Sequence, residues 1–120
     1  MAEKINPSLK IYHNPRCKKS RAGLTYLQSK TNKFEIVEYQ KTGLTEEILK
    51  EILLKSNLKA ADLVRTQEEI FKKELKGKKF TDDEWIKIIV ENPNLLQRPI
   101  IVGNHKAVLA QPPEAIDKLL

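Results

Sequence analysis

Two short runs of strand-forming residues, LKIYH (9–13) and FEIVEY (34–39), bracket a stretch with a helical pattern. The pattern runs from Cys17 or Lys18 to about Lys30, with Ala22, Leu24, Tyr26 and Leu27 as its apolar positions. Asn14-Pro15 breaks the chain before it. A strand, a helix and a second strand with short connections leave few ways to close a sheet, because crossovers are right-handed. Whatever follows has to complete that sheet or sit at its end.

The remainder reads as follows. Thr45 is a good N-cap, with Glu46 and Glu47 in the first turn of a helix whose apolar face is Ile48, Leu49, Ile52 and Leu53. DLVRTQEEIFKKEL (62–75) is predicted to be helical, ending near Gly77. Thr81-Asp82-Asp83-Glu84 is a capping box that opens a helix carrying Trp85, Ile88 and Ile89 and stopping at Asn92-Pro93. RPIIV (98–102) and AVLA (107–110) are strands joined by a turn at Gly103-Asn104. Pro112-Pro113-Glu114 starts a last helix through Ile116 and Leu119. Residues 1–7 are expected to be a short tail. The order is β-α-β-α, a helical insert over about 58–92, then β-β-α. That is the thioredoxin-like order, an α/β fold with a four-stranded mixed sheet, flanking helices and the insert as a small cap. One domain over 1–120 is expected.

Composition narrows the function classes. The 120 residues suffice for one core. Hydrophobic content of 40% with 32% charged residues reads as globular rather than disordered. No apolar run approaches the roughly 18 residues of a membrane span, and Ile86–Val90 is already interrupted by Lys87. MAEKINPSLK lacks the apolar core of a signal peptide. A lone cysteine excludes an internal disulfide, so the expected location is cytoplasmic. The net charge of +6 is compatible with nucleic-acid binding. The lysines, however, are interleaved with Glu and Asp along the whole chain, the pattern of a solvated surface rather than a clustered basic face.

The chemistry concentrates in YHNPRCKKSR (12–21). The only cysteine, Cys17, sits among Arg16, Lys18, Lys19 and Arg21 where a strand gives way to a helix. A helix start offers unpaired N–H groups and a partial positive charge. Together with the cations these favour the thiolate, the reactive form of the side chain. The same N–H groups can hold an oxyanion. The competing reading is an inert buried cysteine, which the surrounding charges disfavour. His13 either orients the loop or caps the strand. Ser20 either donates its hydroxyl to the thiolate or is an ordinary first-turn serine.

Other candidates are weaker. His13, His105 and one cysteine have no metal-ligand spacing, so no metal is expected. Asp82, Asp83 and Glu84 are explained by the helix start, and Trp85 and Phe71 by the core. There is no glycine-rich phosphate loop.

YHNPRCKKSR, DLVR (62–65), NPNLLQRPIIV (92–102) and AVLAQPPE (107–114), in that order, resemble the thioredoxin-fold arsenate reductase (ArsC) family. That family is glutaredoxin-coupled and related to Spx-type redox regulators. The resemblance covers about residue 9 to 120. It implies that Cys17 attacks the oxyanion and that Arg65 and Arg98 bind it. It also implies a cis peptide bond before Pro99, which faces the cysteine; Pro99 and, in the loop around Cys17, His13, Asn14, Arg16 and Ser20 are the expected supporting residues. Active members carry a third arginine before the final proline, and here Gln111 stands in that place. Glutamine keeps a donor but loses the charge and the fork. Losing one charge-assisted bond of about 1.5–3 kcal/mol weakens an arsenate site by roughly ten- to a hundredfold. Lys106 and Arg16 are candidates to replace that charge.

Ser20 stands where a C-x-x-C pair would need its second sulfur, so no dithiol mechanism is available. An outside thiol, glutathione or a glutaredoxin-like protein, has to resolve any adduct on Cys17. The resemblance thus implies a monothiol oxidoreductase without a bound cofactor, acting on a small oxyanion or a low-molecular-weight thiol. The alternative is a non-enzymatic regulator on the same fold, with RNA polymerase as its partner.

Overall fold

The computed structural model describes residues 9–120, and the tail expected over 1–7 lies outside the described residues. The chain forms two compact units, one comprising the residues up to Glu38 with Arg98–Leu120, the other Tyr39–Gln97.

In the first unit β1 (Leu9–Tyr12), α1 (Lys18–Lys30) and β2 (Phe34–Val37) are followed, after the second unit, by β3 (Ile100–Val102), β4 (Ala107–Leu109) and a 3-10 helix over Pro113–Leu119. The strand order is β2-β1-β3-β4. β1 and β2 are parallel, with Leu9 opposite Phe34 and Tyr12 opposite Val37. β3 runs antiparallel to both β1 and β4, with Ile100 opposite Tyr12 on one side and Leu109 on the other. This is the expected four-stranded mixed sheet with flanking helices, a thioredoxin-like fold. Leu9, Ile11 and Ile101 share one sheet face and bury it against Leu27 of α1, Ala110 and Ile116. Full burial of each such aliphatic side chain contributes about 1.5–3 kcal/mol.

Two ends differ from expectation. The second strand stops at Val37 rather than residue 39, because Tyr39 opens a short helix. The last helix is of the tighter 3-10 type, starting from two consecutive prolines.

The second unit is helical, with α2 (Tyr39–Thr42), α3 (Glu46–Ser56) and α4 (Asp82–Glu91). Thr45 caps α3 by accepting the Ile48 N–H at 3.1 Å. Thr81 accepts the Glu84 N–H at 3.1 Å while the Glu84 carboxylate accepts the Thr81 N–H at 2.8 Å, the capping box read from the sequence. Each such cap is worth about 1 kcal/mol. Leu49 and Ile52 of α3 pack with the α4 side, where Trp85, Ile86 and Ile89 are buried. Phe80 meets the Trp85 ring edge-on at 4.8 Å.

The continuous helix expected over 62–75 does not form. A 3-10 turn over Ala60–Leu63 ends where Val64 bridges antiparallel to Leu96. The Arg65 N–H then donates to the Leu95 carbonyl and the Gln97 N–H to the Leu63 carbonyl, both at 2.7 Å. These long-range bonds use the main-chain groups a helix would need. Of the expected helix there remains one short stretch, helical over residues 69–70 and of π type over Phe71–Leu75, followed by Gly77 at φ +81°. The second unit contains the segment 58–92 read as an insert and also α2 and α3 before it. No helix among the described residues is long and apolar enough to cross a membrane.

Candidate functional site

The strand-to-helix connection after β1 is tied down residue by residue. The His13 N–H donates to the Val37 carbonyl at 2.9 Å, continuing the β1–β2 pairing one residue past the strand. Asn14 is buried and turns the chain: its side-chain oxygen accepts the Arg16 N–H and its carbonyl accepts the Cys17 N–H, each at 3.0 Å. The Arg21 guanidinium donates to the Pro15 carbonyl at 3.0 Å. Cys17 is thereby placed at the N-cap of α1, with extended backbone angles.

This helix start differs from those of α3 and α4. Those begin with a threonine cap and carry acids in the first turn. α1 has no side-chain cap and no acid there, and Lys18, Lys19 and Arg21 instead. Cations at this end oppose the helix dipole by about 0.3–1 kcal/mol each. An anion at the cap removes that penalty, and the Cys17 sulfur is the group in position.

Cys17 is half-buried. Burial alone pushes its thiol up, yet the Ser20 N–H, the Arg98 guanidinium by hydrogen bond and by charge, and the Lys19 N–H together hold it below its ordinary value. The thiolate is thus stabilised by two helix N–H groups and one guanidinium.

Ser20 is fully buried. Its hydroxyl oxygen accepts the Asn14 N–H at 2.9 Å and lies 2.8 Å from His13 Nδ1. Burial, helped by the Arg21 charge, lowers the His13 pKa, with Glu38 pulling the other way. The direction of the His13–Ser20 bond follows the ring tautomer: Nδ1 accepts the hydroxyl proton in one and donates to the hydroxyl oxygen in the other. The Ser20 N–H meets the sulfur, and its hydroxyl ties Asn14 and His13 together.

Arg98 is 6% exposed and precedes a cis bond to Pro99. A second cis bond joins Gln111 to Pro112. The Gln111 side-chain amide donates to the Arg98 carbonyl at 2.7 Å. Pro99 also abuts α1: a β-carbon on Gly23 would lie 2.4 Å from its ring. Gly23 was not singled out in the sequence. Its signal was a glycine inside a helix, which costs about 1 kcal/mol against alanine and asks for a packing reason.

The structure thus gathers Cys17, Ser20, Arg98, Pro99, Gln111, His13 and Asn14 in the first unit, with Arg16 exposed in the same loop. Lys106 is exposed in the β3–β4 turn, at the end of β3 away from Arg98, and its carbonyl accepts the Gly103 N–H at 2.7 Å. Arg65 belongs to the second unit, where it is half-buried and ion-paired with Glu68. A cavity of about 560 Å³ in the second unit is lined by Glu68, Glu69 and Glu91, carboxylates that repel an oxyanion. A smaller one of about 210 Å³ lies in the first unit between Lys19 and Ala22 of α1 and the Ala110–Pro113 segment.

Residues 12–119 match the ArsC family. A protein named arsenate reductase from Neisseria meningitidis is 36% identical over 116 residues, covering 95% of this chain and 99% of its own. The uncharacterized protein YfgD of Escherichia coli is 36% identical over 114 residues, covering 93% and 96%. A solved structure of an arsenate reductase from Vibrio cholerae superposes with a TM-score of 0.87 at 32% identity, over 97% of this chain and 100% of that one. With matches that run nearly end to end in sequence and in structure, this chain belongs to the ArsC family.

Proposed function

We propose that the protein is an arsenate reductase-like monothiol oxidoreductase in which the Cys17 thiolate is the nucleophile. The observation that carries this reading is the place of Cys17 at the N-cap of α1, before a first turn with no acid, where the Ser20 and Lys19 N–H groups and the Arg98 guanidinium favour its thiolate. Donors so arranged stabilise a thiolate before attack and can hold oxyanion oxygens during it.

The sulfur attacks the arsenic of arsenate and an oxygen leaves as water, giving a thiol ester of arsenate on Cys17. Reduction to arsenite takes two electrons. Because the chain has one cysteine, both come from two external thiol groups, which leave joined as a disulfide while Cys17 returns to the thiol. Glutathione and a glutaredoxin-like protein are the reductants this reading assigns. The net reaction is arsenate and two thiols giving arsenite, a disulfide and water. Arg98 acts as the anion contact beside the sulfur. Arg65 is assigned as a second anion contact on the family resemblance alone.

The same thiolate can attack a disulfide, forming a mixed disulfide that a second thiol resolves.

An NADPH-coupled assay with arsenate, glutathione, glutathione reductase and glutaredoxin tests the reading. Arsenate-dependent NADPH oxidation that disappears in Cys17→Ser is expected. If Cys17→Ser matches the wild-type rate, the reading is wrong. Binding of RNA polymerase that survives Cys17→Ser, with no turnover in the assay, would favour a regulator instead.

A further inference from the structure

The register of the sheet gives Gln111 a part of its own. β3 and β4 pair Ile100 with Leu109, and the pairing continues outward as the Ala110 N–H donates to the Pro99 carbonyl at 3.0 Å. One step further, Gln111 stands opposite Arg98. In an antiparallel ladder hydrogen-bonded and non-hydrogen-bonded pairs alternate; next to the bonded Pro99–Ala110 pair, Arg98 and Gln111 exchange no main-chain bond, and the Gln111 N–H donates to the Leu109 carbonyl of its own strand at 2.9 Å. The side-chain amide of Gln111 supplies a bond between the two residues, donating to the Arg98 carbonyl at 2.7 Å.

That carbonyl belongs to the residue whose guanidinium hydrogen-bonds the Cys17 sulfur. Arg98 enters β3 through Pro99, which has no N–H to give to the ladder. On the β4 side the Arg98 carbonyl is held by the Gln111 side chain. We propose that Gln111 is a positioning residue: its amide fixes the Arg98 main chain and so aims the guanidinium at Cys17. The chemistry required at position 111 is an N–H donor on a side chain of this reach, and glutamine meets it without charge.

The inference rests on the reading of Cys17 and Arg98 as the thiolate site. The experiment is a double-mutant cycle read by the rate at which iodoacetamide alkylates Cys17, as a function of pH. Gln111→Met keeps the length and apolar stem and removes the donor, and Gln111→Ala is the second variant in case the first folds poorly. Thermal unfolding checks that each is folded. Arg98→Ala is expected to slow alkylation at neutral pH and move the pH midpoint upward. Gln111→Met should move it the same way, lowering the neutral-pH rate on the order of threefold. In the Arg98→Ala background it should have no further effect. If Arg98→Ala shifts the profile and Gln111→Met does not, or if Gln111→Met shifts it equally in both backgrounds, the inference is overturned while the site stands. An unchanged profile in Arg98→Ala overturns both.

Discussion

Gly23 and Pro99 meet so closely that a β-carbon on the glycine would lie 2.4 Å from the proline ring, in a helix that carries Cys17 at its start. The contact presses α1 against the chain just after Arg98, so the residue allowing it also sets how near the two halves of the thiolate site come.

Gly23→Ala is therefore expected to destabilise the protein. Overpacking costs about 1–3 kcal/mol, and the helix-propensity gain of about 1 kcal/mol recovers only part. Urea unfolding would show a lower midpoint with an unchanged slope. A stabilised variant would mean that the contact is not tight.

Ser20→Ala removes the hydroxyl that accepts from Asn14 and bonds His13. Leaving two buried groups without that partner costs about 1–3 kcal/mol of stability. The Ser20 N–H remains for the sulfur, so Cys17 alkylation should slow less than in Arg98→Ala. A larger effect on alkylation than Arg98→Ala gives would show that the hydroxyl itself serves the thiolate.

His13 makes folding sensitive to acid. Its folded pKa is lowered by burial from an ordinary value of 6.5. The unfolded chain thus takes up the proton first, so the stability from a neutral His13 is present above that value and is lost as pH falls through the folded pKa. Stability measured from pH 7 downward should drop more steeply in the wild type than in His13→Gln. Parallel curves would contradict this.

Gln111→Arg restores a charge at the third anion position while keeping N–H donors for the Arg98 carbonyl. A charge-assisted bond of about 1.5–3 kcal/mol predicts a kcat/KM for arsenate raised by roughly ten- to a hundredfold. No rise in the coupled assay would mean that position 111 does not reach the anion.

Much of this was legible in the chain. The limits of α1, the Thr45 cap and the Thr81–Glu84 box depend on neighbours three or four residues apart, and local physics decides them. The helix expected over 62–75 failed because its main-chain groups pair with Leu95–Gln97, which no local pattern reveals. Cys17 stood out by its charged neighbours. That Ser20 would use its N–H toward the sulfur and its hydroxyl toward His13 depends on how tightly Asn14 turns the loop. The bond from Gln111 to Arg98 depends on the strand register that sets the two residues opposite each other. Both are tertiary facts, and residue identity alone left them open.

The central claim is a thiolate held at the start of α1 by N–H groups and Arg98. Titrating the Cys17 thiolate by its ultraviolet absorbance, in wild type and Arg98→Ala, with and without sulfate, tests it most directly. The account predicts a wild-type midpoint below that of an ordinary cysteine, raised in Arg98→Ala. It also predicts a wild-type midpoint raised by sulfate, which competes for the same donors. An ordinary midpoint that neither the substitution nor the anion moves would contradict it.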